Sequence, residues 1–289
     1  MEYFENRERA ESFGEVAHDY DAFRPKYPVA LISAIMQAAA IGTDSRTDSS
    51  TSDRTSDAPR LLDVGSGTGI LAAQLRSAGA EVLAVEPDDE MAAVARSKGL
   101  DVDVSTFEDW DPHGRTFDLV SFGQSFHWVD PLVALPKVRT VLRPGGILAL
   151  AWNDIEPISE LKTRLDAIAG RFHADGTTAS LGSLACRGTA ANPAAGANST
   201  TAATVRKAEP VEHPALTQLR DAGFTPNEAT FVENLRYSRH EWLSMVFTYS
   251  AQLTMDPVKR AVMREEMSAE IPNDGLDARN EALLVLAGV

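Results

Sequence analysis

The 289-residue sequence predicts an α/β fold: a mostly parallel sheet with helices on both of its faces. Two observations predict it. From Arg60 onward, short apolar runs alternate with helix-forming stretches, which is the pattern of consecutive βαβ units. The first of those runs, Leu61-Leu62-Asp63-Val64, ends in Gly65-Ser66-Gly67-Thr68-Gly69 and is followed by the helix former Ile70-Leu71-Ala72-Ala73-Gln74-Leu75. A strand that stops at such a turn and restarts as a helix brings backbone and a helix N-terminus close to a ligand.

The elements follow in order. Residues 2–18 read as helical, with Phe4, Phe13, Val16 and Ala17 as apolar contacts, and a longer helix covers 29–41 after Pro28. Residues 43–58 are Ser/Thr/Asp/Arg-rich and cannot bury enough surface to offset their ordering entropy, so they read as a disordered insert. Strands are expected at 60–64, 81–86, 101–105, 117–122 and 146–152, with helices at 69–78, 89–97 and 131–142. A low-complexity Ala/Gly/Ser/Thr/Asn tract occupies 174–208 and reads as mobile. Beyond it come a helix from His213 to Ala222 with Gly223 as its stop, and a strand at 229–236. Trp242, Val246, Tyr249 and Leu253 then make one apolar face of a helix over 239–253. A second helix, 257–271, has Asp256 as N-cap, and a closing strand covers 281–287.

Composition narrows the function. An apolar content of 44% is ample for a core. The lone cysteine, Cys186, excludes an intrachain disulfide and fits a reducing, cytoplasmic setting. No basic region followed by an apolar stretch opens the chain, and no run approaches the ~20 apolar residues of a membrane span. A formal charge of −15 opposes binding to nucleic-acid backbones and points to a small-molecule partner. The six histidines show no metal-ligand spacing, so no metal is expected. Oligomeric state is not readable.

The glycine spacing selects the ligand. A dinucleotide fingerprint starting at Gly65 needs a glycine at position 70, which is Ile70, and no lysine follows Gly69 to complete a P-loop. Glu86 ends the second strand, where a carboxylate can accept hydrogen bonds from both hydroxyls of a ribose. Asp63 would repel a pyrophosphate but suits an ammonium group. Adenosine joined to a charged amino acid is S-adenosylmethionine.

These residues resemble the class I S-adenosylmethionine-dependent methyltransferases. The resemblance extends through Phe107-Glu108-Asp109-Trp110, through Phe117 to Trp128, and through Leu142-Arg143-Pro144-Gly145-Gly146-Ile147-Leu148. The segment Tyr20-Asp21-Ala22-Phe23-Arg24-Pro25-Lys26-Tyr27-Pro28 and the His127-Trp128 pair are similar to a small-molecule branch that includes trans-aconitate and quinone-ring methyltransferases. The resemblance implies a Rossmann-like, seven-stranded, mostly parallel sheet with an antiparallel last strand. It implies one domain over 1–289, with an N-terminal helical lid (1–42), a cofactor-binding core (60–155) and a helical cap (238–272).

It also implies the site. Asp63, Gly65, Ser66, Gly67, Thr68, Gly69, Glu86, Pro87, Phe107, Glu108, Gly123 and Gln124 would bind the cofactor. Tyr20, Arg24, Tyr27 and Trp128 would contact the acceptor, and His127 is the candidate catalytic base. Arg24 could hold a carboxylate by two parallel bonds, or could be a helix-end arginine flanked by core tyrosines. His127 and Trp128 could equally pack beneath the next helix. The expected reaction is methyl transfer to a small organic acceptor, with carboxylates and phenols as the two classes. The alternatives are a non-catalytic S-adenosylmethionine-binding regulator and a tRNA methyltransferase.

Overall fold

A computed structural model describes residues 13–44, 58–172 and 212–289. After a 3-10 turn at Gly14–Val16, the elements run α1 (Ala17–Phe23), α2 (Val29–Asp44), β1 (Arg60–Val64), α3 (Ile70–Ser77), β2 (Glu81–Glu86), α4 (Asp89–Ser97), β3 (Asp101–Val104) and β4 (Phe117–Gly123). There follow α5 (Pro131–Val141), β5 (Leu142–Trp152), β6 (Ile155–Pro157), α6 (Glu160–Phe172) and α7 (Pro214–Asp221). The chain ends with β7 (Thr225–Tyr237), α8 (Arg239–Val246), α9 (Ser250–Leu253), α10 (Pro257–Glu270) and β8 (Leu276–Gly288).

The sheet is ordered β3-β2-β1-β4-β5-β8, with β6 and β7 also paired to β8. β1 to β5 pair in parallel, and every contact of β8 is antiparallel. The side-chain period of two sorts the core onto two faces. Leu62, Val120 and Leu150 meet Phe107, Trp110 and α7 residues such as Leu216 on one face. Leu61, Leu119 and Ala149 meet Leu31 and Ile35 of α2 and Leu71 and Leu75 of α3 on the other.

The sheet keeps the expected seven strand positions, but one of them is divided into two segments, β5 and β6. β5 and β6 pair with β8 in one register, Trp152 opposite Leu283 and Ile155 opposite Asn280, so β6 continues β5 across a break at Asn153-Asp154. The break holds a buried polar network. Asn280 Nδ2 donates to Asn153 Oδ1 (2.9 Å) and Glu233 Oε1 (3.0 Å), and Asn280 Oδ1 accepts the Asp154 N–H (3.2 Å).

Three helical expectations also change. Within the expected helix 2–18, the described residues form a short turn and then α1, which runs on to Phe23. The helix over 239–253 is interrupted at Phe247–Tyr249, where Thr248 Oγ1 turns back to the Met245 carbonyl (2.7 Å) and α9 restarts after Tyr249. Helix α6 was not expected; it buries Leu161, Leu165, Ile168 and Ala169 against Trp242, Met263 and Met267 of the cap helices. The inserts assigned to 43–58 and 174–208 lie, but for residues 43, 44 and 58, outside the described residues, as does Cys186.

Candidate functional site

The carboxyl ends of β1, β2 and β4 meet at the glycine turn. Gly65, Gly67 and Gly69 all have positive φ (61°, 56° and 79°), and Gly69 is the N-cap of α3. They differ in what a side chain would meet. A Cβ at Gly65 would lie 2.6 Å from Ser125 Cβ, and one at Gly69 would lie 2.4 Å from Leu100 Cδ1. At Gly67 only Met91 Cε comes near, at 3.8 Å. Two glycines thus serve the packing of the protein itself, and Gly67 alone keeps open space above the turn.

The amides of this turn are mostly engaged inside the protein, which departs from the expectation that they face a ligand. Gly65 and Ser66 N–H donate to the Val85 carbonyl, Gly67 N–H to Glu86 Oε2 (2.7 Å), and Gly69 N–H to the Ser66 carbonyl. Side-chain oxygens are what remain without partners. Asp63 Oδ2, Ser66 Oγ and Thr68 Oγ1 are buried and have no hydrogen-bond partner among the described residues. A buried polar atom left unpaired costs on the order of 1–3 kcal/mol. The three sit at the end of β1 and on the turn after it; an ionised Asp63 can only accept, whereas the two hydroxyls can accept or donate.

Asp63 is held by Ser121 on the neighbouring strand, whose hydroxyl donates to Oδ1 (2.7 Å). Burial pushes its carboxyl up to about 7, with the Ser121 bond and the Ala72 backbone N–H opposing. Glu86 is also buried; its Oε1 accepts the Asp88 N–H (3.0 Å), and burial raises it to about 7, with the charges of Asp88 and Asp63 adding to the shift. Each Glu86 oxygen keeps a second lone pair for a hydroxyl donor. Both acids therefore fit a group bearing an ammonium and a diol.

The other expected cofactor residues spread around this turn. Pro87 is exposed beside Glu86. Phe107 is buried in the core, stacked on Trp110, so its ring is a wall rather than a free platform. Glu108 is half-buried and accepts the Asp130 N–H (3.0 Å). Gly123 closes β4 so tightly that a Cβ would come within 2.9 Å of both Leu71 and the Tyr27 hydroxyl. Gln124 has a φ of 58° and ties the end of β4 to β5, its N–H donating to Ala151 O and its Nε2 to Asn153 O (both 2.9 Å).

The expected acceptor residues form a second group. His127 and Trp128 share a half-buried 3-10 turn after β4, with ring centroids 4.8 Å apart. Phe13 leans edge-on against both Trp128 (6.1 Å) and Tyr20 (5.8 Å), so the N-terminal segment packs on that turn. Arg24 is neither a free clamp nor a surface residue. Its guanidinium lies between the rings of Tyr249 (3.8 Å) and Tyr20 (4.7 Å) and donates to Thr248 Oγ1 (2.9 Å) and Thr248 O (3.1 Å). It latches α1 to the link between α8 and α9. Tyr27 is buried, its backbone bonded both ways to the Gln74 amide (2.9 and 2.8 Å).

The residues missed from sequence are the partners in these contacts: Ser121, Ser125, Thr248, Asn153 and Asn280. Ser125 donates its hydroxyl to the Val64 carbonyl (2.5 Å), pinning the β4 loop to the turn. Alternation would have placed Ser121 inside a fully buried strand, where a hydroxyl needs a partner; the rest lack a local signal. Among the described residues no group of three or more metal-ligating side chains occurs, and no helix is long and apolar enough to cross a membrane.

Residues 62–150 match the family described as "Methyltransferase domain". That stretch runs from β1 into β5 and takes in the glycine turn, Glu86 and the end of β4. An uncharacterized methyltransferase of Mycobacterium tuberculosis is 36% identical over 168 residues, 57% of this chain and 61% of that protein. A fission-yeast uncharacterized methyltransferase-like protein is 32% identical over 165 residues, 54% of this chain and 57% of its own length. The match therefore spans about three-fifths of these relatives. A ubiquinone biosynthesis O-methyltransferase of Cereibacter sphaeroides is 34% identical over 107 residues, 35% of this chain and 43% of that protein. Among solved structures, a candidate Type II methyltransferase from Anaeromyxobacter dehalogenans shares the fold with a TM-score of 0.54 at 19% identity, covering 91% of this chain and 97% of that one.

Proposed function

We propose that this protein is an S-adenosylmethionine-dependent methyltransferase that acts on a small organic acceptor through a phenolic or similar hydroxyl. One observation carries the cofactor reading: three buried oxygens at the end of β1 and on the glycine turn, Asp63 Oδ2, Ser66 Oγ and Thr68 Oγ1, have no partner among the described residues. Asp63 would accept from the ammonium and Glu86 from the ribose hydroxyls. Pro87, Phe107, Glu108, Gly123 and Gln124 would bound the adenosine. When bound, the cofactor supplies a methyl group on a positively charged sulfur, already activated for displacement.

The protein's own part is to align the acceptor and exclude water. Arg24 is the reason to favour a hydroxyl over a carboxylate. Its Nε and Nη2 are directed at Thr248 and its two faces are covered by tyrosines, so the side-on Nε–Nη2 fork is already engaged and Nη1 alone is left over. The O-methyltransferase of ubiquinone biosynthesis among the relatives supports the same class. A hydroxyl, unlike a carboxylate, profits from a base, and His127 is the candidate, with Trp128 as the wall beside it. Tyr20 and Tyr27 would shape the pocket.

The test is formation of S-adenosylhomocysteine against matched panels of phenols and carboxylic acids, with wild type and His127→Gln. Turnover of phenols, slowed by about 10²-fold or more in the variant, supports the reading. Turnover of carboxylates alone would remove the hydroxyl assignment. Tight S-adenosylhomocysteine binding with no turnover on either panel would favour a non-catalytic binding protein.

A further inference from the structure

A second concave site lies away from the glycine turn. A shallow, open cavity of about 530 Å³ lies between α8 and α10, walled by Arg239, Leu243, Arg264, Glu265 and Ser268, with alanines 261 and 269 at its exposed side. It has two arginines in a chain with a formal charge of −15.

Neither arginine has a carboxylate partner among the described residues. Among the described residues Arg264 donates only to the Leu243 carbonyl, at 3.4 Å, and its guanidinium lies 5.2 Å from the Phe247 ring. The acid that acts on it through space is Asp19 of α1, beyond ion-pair distance, and burial lowers its pKa. Arg239 directs Nε and Nη2 at the Ile271 carbonyl, which leaves Nη1. The neighbouring α10 acids are taken elsewhere: Glu270 pairs with Arg164 and Glu266 with Arg171, both on α6. A half-buried guanidinium with donors to spare is stabilised by an anion. Leu243 and the two alanines supply apolar wall for the body of such a ligand.

We propose that this cavity binds a small organic carboxylate, its head between Arg239 and Arg264 and its apolar part along Leu243. Glu265, on the same wall, limits the charge the site takes and selects a monoanion over a dianionic phosphate. The site is independent of the cofactor turn and of the reaction proposed above.

The probe is hexanoate, titrated calorimetrically into the full-length protein at low salt, with hexyl phosphate as the competing chemistry. Saturable 1:1 binding of hexanoate is expected. It weakens by about tenfold or more in Arg264→Gln, strengthens several-fold in Glu265→Gln, and is unchanged in Lys259→Gln on the same helix. S-adenosylhomocysteine affinity in each variant reports that the fold is intact. If Arg264→Gln fails that check, Glu265→Gln decides, and no gain there overturns the proposal. Absence of saturable hexanoate binding, equal binding to a folded Arg264→Gln, or a preference for hexyl phosphate would each overturn it as well.

Discussion

The glycine turn and the Arg24 latch lie at the same end of the sheet and are built in opposite ways. At the turn, backbone groups are satisfied while Asp63, Ser66 and Thr68 keep buried oxygens open. At the latch, Arg24 finds hydrogen bonds and two aromatic faces inside the protein. The contrast separates two tasks. One region keeps buried polar atoms that a ligand could satisfy. The other finds hydrogen bonds and ring contacts within the chain.

The largest effect expected from this contrast is at Gly67. Gly67→Arg fills the open space and should weaken S-adenosylhomocysteine binding by about 10²-fold or more in calorimetry. Gly69→Ala is its counterpart. There the new Cβ meets Leu100 in a left-handed backbone, so the expected loss is about 2–4 kcal/mol of stability, read by urea unfolding. If Gly69→Ala proves as stable as wild type, the division of roles among the glycines fails.

Next comes the latch. Arg24→Gln removes a charged donor to Thr248 and two ring contacts, at a cost of about 1–3 kcal/mol. Faster amide exchange in α1, with S-adenosylhomocysteine affinity little changed, would show a tie; selective loss of carboxylate turnover would show a clamp instead.

A smaller effect follows from pH. Asp63 and Glu86 are raised to about 7, so each is largely protonated in the ligand-free protein below that value and ionised above it. A bound ammonium favours the ionised form of Asp63. S-adenosylhomocysteine affinity should therefore fall as pH drops through 7 towards 5, by up to about tenfold per unit for one coupled proton, with proton release on binding. Stability of the ligand-free protein runs the other way. With folded-state values above the unfolded ones, these two acids destabilise most above pH 7, and that penalty is relieved as pH falls towards 4. Calorimetry in buffers of different ionisation enthalpy distinguishes the two trends.

The smallest expected change is removal of residues 45–56, which should leave cofactor affinity within about twofold because that composition supplies no large apolar contact.

What could be read from sequence was local. Asp63, the alternate glycines and Glu86 lie within one βαβ unit, so their placement follows from strand and helix periods alone. The N-cap at Asp256 and the stop at Gly223 were readable for the same reason, and the capping box of Ser238 with Glu241 could have been. Arg24 could not be resolved because its partner is 224 positions away, and its two candidate roles look alike in a single sequence. Helix α6 had the right spacing in Leu161, Leu165 and Ile168, but it abuts a low-complexity tract that masked its end. The Asn153–Asn280 contact joins residues 127 positions apart and has no periodic signature.

That interruption between Trp152 and Ile155 has a consequence for how such a protein can vary. The two flanking segments stay in step with Leu283 and Asn280, so the gap counts as whole residues of an unbroken ladder. Deleting one residue there would turn Ile155 and Pro157 to the opposite surface. Exchanging Asn153 or Asp154 at constant length would leave the strand alignment alone. Length at this rim is therefore fixed by the ladder, while the side chain at 153 is held by its buried bond to Asn280.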